Sequence, residues 1–211
     1  MKQMVDKIIS EETWTVEEDE RTKVLRSSTD LIYYFKTSMK VLNSLTKDQA
    51  FYDLHLLFKK YLKQYSAILI DKIPPPDTKL NEREEKMLCL IVNTAEYCSS
   101  TTTSMAEAFR KSIKSKFVEK IDLSAEQADF ESVIAKAIKG LVYGLEAKLE
   151  PAFLQMTKMP WGSWETVEDQ SEYVNQVSTY INQSVPIYNN WLSNSAHFSY
   201  FCDYFVLYDL L

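Results

Sequence analysis

Residues 46–76, TKDQAFYDLHLLFKKYLKQYSAILIDKIPPP, decide the fold class. Phe51, Leu54, Phe58, Tyr61, Leu62, Tyr65 and Ile68/Leu69 recur at three- and four-residue steps, the spacing of one helical face. Thr46 with Gln49 reads as a capping box at the start of this helix. Pro74, Pro75 and Pro76 stop it, because proline lacks an amide N–H and disfavours helical backbone in the residue before it. His55 lies one step from the stripe and is expected at its boundary.

The same period continues on both sides. Upstream, Leu31, Phe35, Met39, Leu42 and Leu45 predict a helix beginning near Ser28. Residues 1–26 read by composition as an acidic, loosely ordered lead-in, with Glu17, Glu18, Asp19 and Glu20 at its centre. Downstream, Asn81 and Glu84 form a start signal for a helix expected to run to about Lys120. A bend or break is expected at Ser99–Ser104, whose hydroxyls compete for backbone hydrogen bonds. Ser124 with Gln127 marks the next start, and Phe130, Val133/Ile134, Ala137/Ile138, Leu141, Leu145 and Leu149 its stripe. Pro151 is expected to kink or break that helix. A last long helix, capped by Asp169 or Ser171, carries Tyr173, Val177, Tyr180/Ile181, Ile187, Trp191, Phe198 and Phe201/Cys202, with a bend at Pro186.

Glycine points the same way. The chain holds 3 Gly in 211 residues, where average usage would give roughly 15. Few tight turns and no glycine-rich phosphate loop can be built from Gly140, Gly144 and Gly162. The expected architecture is all-α, an elongated, rod-like bundle of about five long helices over 27–211, with loops near 73–81 and 157–171. No run of about 18 apolar residues is present, so any membrane association is expected to be peripheral.

The residue inventory disfavours an enzyme. The motifs GxSxG, HExxH, the P-loop, the EF-hand loop and CxxC are absent. The acidic pairs Glu17/Glu18 and Glu84/Glu85 read as solvated faces. His55 and His197 lack metal-ligand spacing. Cys89, Cys98 and Cys202 read as buried small hydrophobes suited to a reducing compartment. Neither catalytic residues, nor a metal site, nor a cofactor is expected. After Lys158 there is no Lys or Arg, and the six acids of that last stretch account for the whole net charge of −6. Nucleic acid is therefore not an expected partner there.

Two surfaces stand out. Arg110, Lys111, Lys114, Lys116 and Lys120, interleaved with Phe109, Ile113, Phe117 and Val118, make a cationic flank that is a candidate for an anionic surface or an acidic partner, set against an ordinary solvated helix face over a packed core as the simpler role. The last 53 residues hold 12 of the 27 aromatics. Tyr188, Trp191, Phe198, Phe201 and Phe205 are candidates for an aromatic contact surface, set against core packing as the simpler role. Tyr208-Asp209-Leu210-Leu211 also fits a tyrosine-based sorting pattern.

At the level of longer motifs the chain becomes more specific. Phe58-Lys59-Lys60-Tyr61-Leu62, Thr94-Ala95-Glu96-Tyr97-Cys98, Lys158-Met159-Pro160-Trp161, Val167-Glu168-Asp169-Gln170-Ser171-Glu172-Tyr173-Val174, Val185-Pro186-Ile187 and Phe198-Ser199-Tyr200-Phe201-Cys202-Asp203-Tyr204-Phe205 follow one another in order. Together, from about Val24 to Phe205, they resemble the later half of the vacuolar protein sorting-associated protein 53 family. The resemblance implies a rod-like, non-catalytic subunit of the Golgi-associated retrograde protein tethering complex and of a related endosomal recycling complex. It implies capture of endosome-derived carriers at the trans-Golgi network, with other tethering-complex subunits, SNAREs or small GTPases as partners. The implied location is peripheral, on the cytosolic face of trans-Golgi and endosomal membranes. The family's N-terminal coiled coil and its helices beyond Phe205 are not matched, so a fragment or a short form is expected. A generic helical adaptor for a partner helix or peptide is the alternative reading.

Overall fold

The computed structural model describes residues 1–16, 23–76, 78–163 and 170–209. Glu17–Glu20, Glu168, Asp169, Leu210 and Leu211 lie outside the described residues, and with them the centre of the acidic run, one of the two expected caps and the end of the sorting pattern. The protein is an all-α bundle, 81% helical, with no strand among the described residues. Its helices are α1 (Lys2–Ser10), α2 (Arg26–Leu45), α3 (Gln49–Asp71), α4 (Glu82–Ser112), α5 (Ser115–Val118), α6 (Ser124–Thr157), α7 (Glu172–Trp191) and α8 (Ser195–Asp209). Five of these have 20 residues or more.

The chain divides into two compact units. Unit 1 comprises Met1–Ile73 and Leu90–Ala137, and unit 2 comprises Pro74–Cys89 and Ile138–Leu211. In unit 1, α3 buries the face read from its sequence: Phe51, Phe58, Leu62, Tyr65 and Leu69 are fully enclosed. Phe58 stacks on Phe35 of α2 at 4.2 Å and meets Phe109 of α4 edge-on at 5.5 Å. Burying each such side chain contributes about 1.5–3 kcal/mol, so this aromatic seam is a principal support of the unit. Two polar ties cross it. The Leu25 N–H donates to Thr94 Oγ1 at 2.9 Å, and the Ser27 and Tyr65 hydroxyls pair at 2.8 Å.

Several elements differ from the sequence reading. The lead-in is not uniformly loose: α1 forms because Val5 and Ile8, one turn apart, both find a buried seat. Thr46 and Gln49 do not cap α3 reciprocally. Thr46 Oγ1 accepts from the Asp48 N–H, and Gln49 turns forward to Asp53. The Asn81–Glu84 box does form, each side chain accepting the other residue's N–H at 3.1 and 2.8 Å. α4 passes through Ser99–Ser104 unbroken, because Ser100, Thr103 and Ser104 turn their hydroxyls back onto carbonyls three or four residues earlier. It stops at Ser112 and not near Lys120, since the Lys114 N–H is claimed by the Lys47 carbonyl at 3.0 Å.

In unit 2, α6 continues through Pro151 and buries Leu141, Leu145, Leu149 and Ala152. Gly144 is needed for close approach: a Cβ there would overlap Cδ1 and Cγ of the buried Leu80. α7 likewise continues through Pro186. The chain breaks later, at Leu192, whose backbone is extended, and Asn194 Oδ1 accepts from the Ala196 N–H to start α8. On α7 the buried positions are Ser184 and Tyr188, one step from the expected Ile187.

Candidate partner-binding surfaces

The five cationic residues of the first candidate surface, all in unit 1, have different roles. Arg110 is exposed but committed to a backbone contact. Its Nε and Nη2 donate to the Ile121 carbonyl at 3.1 and 2.8 Å, pinning the turn that leads into α6. Lys111 is exposed and reaches Glu107 only at 4.0 Å, a contact of little energetic weight. Lys114 and Lys116 converge on one carboxylate, contacting Asp48 Oδ2 at 2.5 Å and Oδ1 at 2.6 Å. Hydrogen bonding to Lys114, then to Lys116, holds the Asp48 carboxyl down at about 2. Lys116 and Lys120 lie 4.7 and 5.9 Å from the ring of Phe117, which is buried and stacked on Tyr52 at 5.3 Å. The flank is therefore four exposed ammonium groups around a fixed aromatic base, beside an exposed Arg110 whose guanidinium is tied to the Ile121 carbonyl.

The five aromatic candidates, all in unit 2, also divide. Tyr188 and Phe201 are buried and are core residues, not surface ones; their rings meet edge-on at 4.8 Å. Phe198 and Phe205 are half-buried and stack on Phe201 at 6.2 and 6.1 Å. Trp191 is half-buried with Lys86 5.5 Å from its ring. The outward part of α8 is instead Tyr200 and Val206, about half exposed. An apolar α8 buries Phe201 and leaves other apolar side chains facing water.

Beneath Tyr188 lies a polar knot that the sequence did not disclose. Glu85 is buried, contrary to its reading as part of a solvated pair. Its Oε1 accepts from Lys148 Nζ at 2.6 Å and from the Tyr188 hydroxyl at 2.6 Å, and Lys148 also donates to Ser184 Oγ at 3.0 Å. Burial, reinforced by the Glu85 charge, pushes the Tyr188 hydroxyl well above its usual range. The partners stand 63 and 103 residues from Glu85 in sequence, so no local signal could have found them.

His55 is likewise buried and not a boundary residue. Its Nε2 meets the Asp122 carbonyl at 3.2 Å, an acceptor shared with Lys59 Nζ at 2.9 Å. Desolvation lowers its pKa below the ordinary value, which favours the neutral ring. Among the described residues no three of His, Cys, Asp and Glu come together as a metal-binding group. Cys98 is buried and its thiol is pushed up to about 12 by desolvation, so it is a packing residue at neutral pH.

The amino-acid sequence of this all-helical protein is similar to those of vacuolar protein sorting proteins. Over 212 aligned residues, 94% of this chain, it is 37% identical to vacuolar protein sorting-associated protein 53 A of Arabidopsis thaliana. Over 125 residues, 59% of the chain, it is 25% identical to the vacuolar protein sorting-associated protein 53 homolog of Caenorhabditis elegans. The chain spans 26% of the length of the first relative and 15% of the second. No family model and no solved structure matches it. The chain belongs to the vacuolar protein sorting-associated protein 53 family.

Proposed function

We propose that the chain acts as a non-catalytic helical segment of a multisubunit vesicle-tethering complex, the Golgi-associated retrograde protein complex, in transport from endosomes to the trans-Golgi network. The observation that carries this reading is the 37% identity to a vacuolar protein sorting-associated protein 53 along 94% of the chain. Packed helices suit such a part, because they hold binding faces in fixed positions without needing a reactive centre. Its partners are the other tethering-complex subunits, with SNAREs or small GTPases at the vesicle end. It works on the cytosolic face of the membranes as a peripheral component; no described helix is long and apolar enough to cross a bilayer.

Affinity capture of the tagged chain from cytosol tests this. Recovery of sister tether subunits together with SNAREs is the expected result. Recovery of unrelated clients alone would replace tethering by a generic helical adaptor.

A further inference from the structure

We propose that the corner of unit 1 formed by the end of α2, the start of α3 and the α4–α5 junction docks on an anionic membrane bearing phosphate monoesters, with Asp48 as its built-in competitor. The inference is independent of the tethering reading and rests on how the corner is put together.

Lys114 and Lys116 are more than half exposed, at 56% and 60%, yet they are not free to wander. Lys114, the residue before α5, is fixed through its N–H to the Lys47 carbonyl, and Lys116 lies within that short helix next to its buried anchor Phe117. Their ammonium groups meet on the two oxygens of a single carboxylate. Two preset cations around a two-oxygen anion form a seat that a phosphate monoester, with more charge and a third oxygen, fills better than Asp48 does. Lys47, Lys111 and Lys120 are exposed around it. Against Asp48, Glu107 and Glu119 the five lysines leave a positive excess on a chain whose net charge is −6.

A second observation selects a membrane over an acidic peptide. Leu45, the last residue of α2 and two positions before Lys47, is 76% exposed, and Val41 one turn earlier is 56% exposed. Protruding aliphatic side chains next to lysines are what the boundary between headgroups and acyl chains accommodates. Salt-sensitive attraction to anionic lipid then acts through the lysines.

Flotation with phosphatidylcholine vesicles containing phosphatidic acid, against charge-matched phosphatidylserine and phosphatidylcholine alone, tests the proposal. The chain is expected to bind the phosphatidic acid vesicles most tightly. Asp48→Asn strengthens that binding, and Lys114→Glu with Lys116→Glu weakens it by more than about tenfold, on the basis of roughly fivefold per lysine. Lys116→Ala, at an exposed position, gives the same direction if the double reversal unfolds. Leu45→Ser weakens vesicle binding, while Lys136→Glu, an exposed reversal elsewhere in unit 1, has the smallest effect of the charge changes. Unchanged binding in Asp48→Asn, or a loss in Lys136→Glu equal to that in Lys116→Ala, would overturn the proposal. Polyglutamate binding as tight as vesicle binding, with Leu45→Ser silent, would also overturn it and assign the corner to an acidic protein segment.

Discussion

Glu85, Lys148 and Tyr188 show how much can rest on a single buried carboxylate. With its side chain 1% exposed, Glu85 is supported by one ammonium and one phenol, both on Oε1. Lys148→Met leaves the charge without its counter-ion and should lower unfolding stability by about 3–5 kcal/mol. Tyr188→Phe removes one neutral donor and should cost about 1–3 kcal/mol. Urea unfolding of both variants checks the order. Equal losses would mean that Lys148 is not the principal partner. His55 gives a prediction in pH. Its folded value lies below the unfolded value of 6.5, so the neutral ring stabilises the fold fully above pH 6.5, and that contribution is lost as pH falls toward the folded value. Unfolding midpoints should therefore drop below pH 6.5, and His55→Gln should flatten that part of the profile. Neither site was legible in the chain, because each joins residues more than 60 positions apart and local periodicity carries no such information.

At the scale of elements, the sequence was most readable where one helix meets its requirements locally. The α3 and α6 stripes are long enough for their period to be unambiguous, and the Asn81–Glu84 box involves only residues three apart. Neither Pro151 nor the Ser99–Ser104 run breaks its helix, since packing along a 34-residue helix outweighs one missing hydrogen bond at Pro151. The end of α4 was also unreadable, because its stop depends on a carbonyl from residue 47. Gly144 supplies the element-scale prediction. Alanine normally favours a helix over glycine by about 1 kcal/mol. Here Gly144→Ala should destabilise by about 1–3 kcal/mol, because the new methyl meets Leu80. A thermal melt decides the sign, and restoration in a Gly144→Ala, Leu80→Ala double variant would tie the loss to that contact.

At the scale of the whole molecule, the three thiols report on the two units separately. Cys98 belongs to unit 1, while Cys89 and Cys202 belong to unit 2. Cys89 and Cys98 are buried, and Cys202 is partly accessible. A maleimide at neutral pH should label Cys202 first. Labelling of Cys98 then measures the opening of unit 1, and labelling of Cys89 that of unit 2. Fast modification of Cys98 in the native protein would contradict the packing of α4. Fold class and the number of long helices were accessible to composition and period; of the boundaries between the units, the one at Ile73/Pro74 is marked by the prolines, but the other two fall inside α4 and α6, where the sequence shows no punctuation.

The narrow space at Gly144 also has a genetic reading. Any missense change in that codon introduces a Cβ, and every such atom is aimed at Leu80. A carrier of such an allele would show reduced steady-state abundance of the protein through chaperone and protease triage, with the lysine corner of the surviving molecules chemically unaltered.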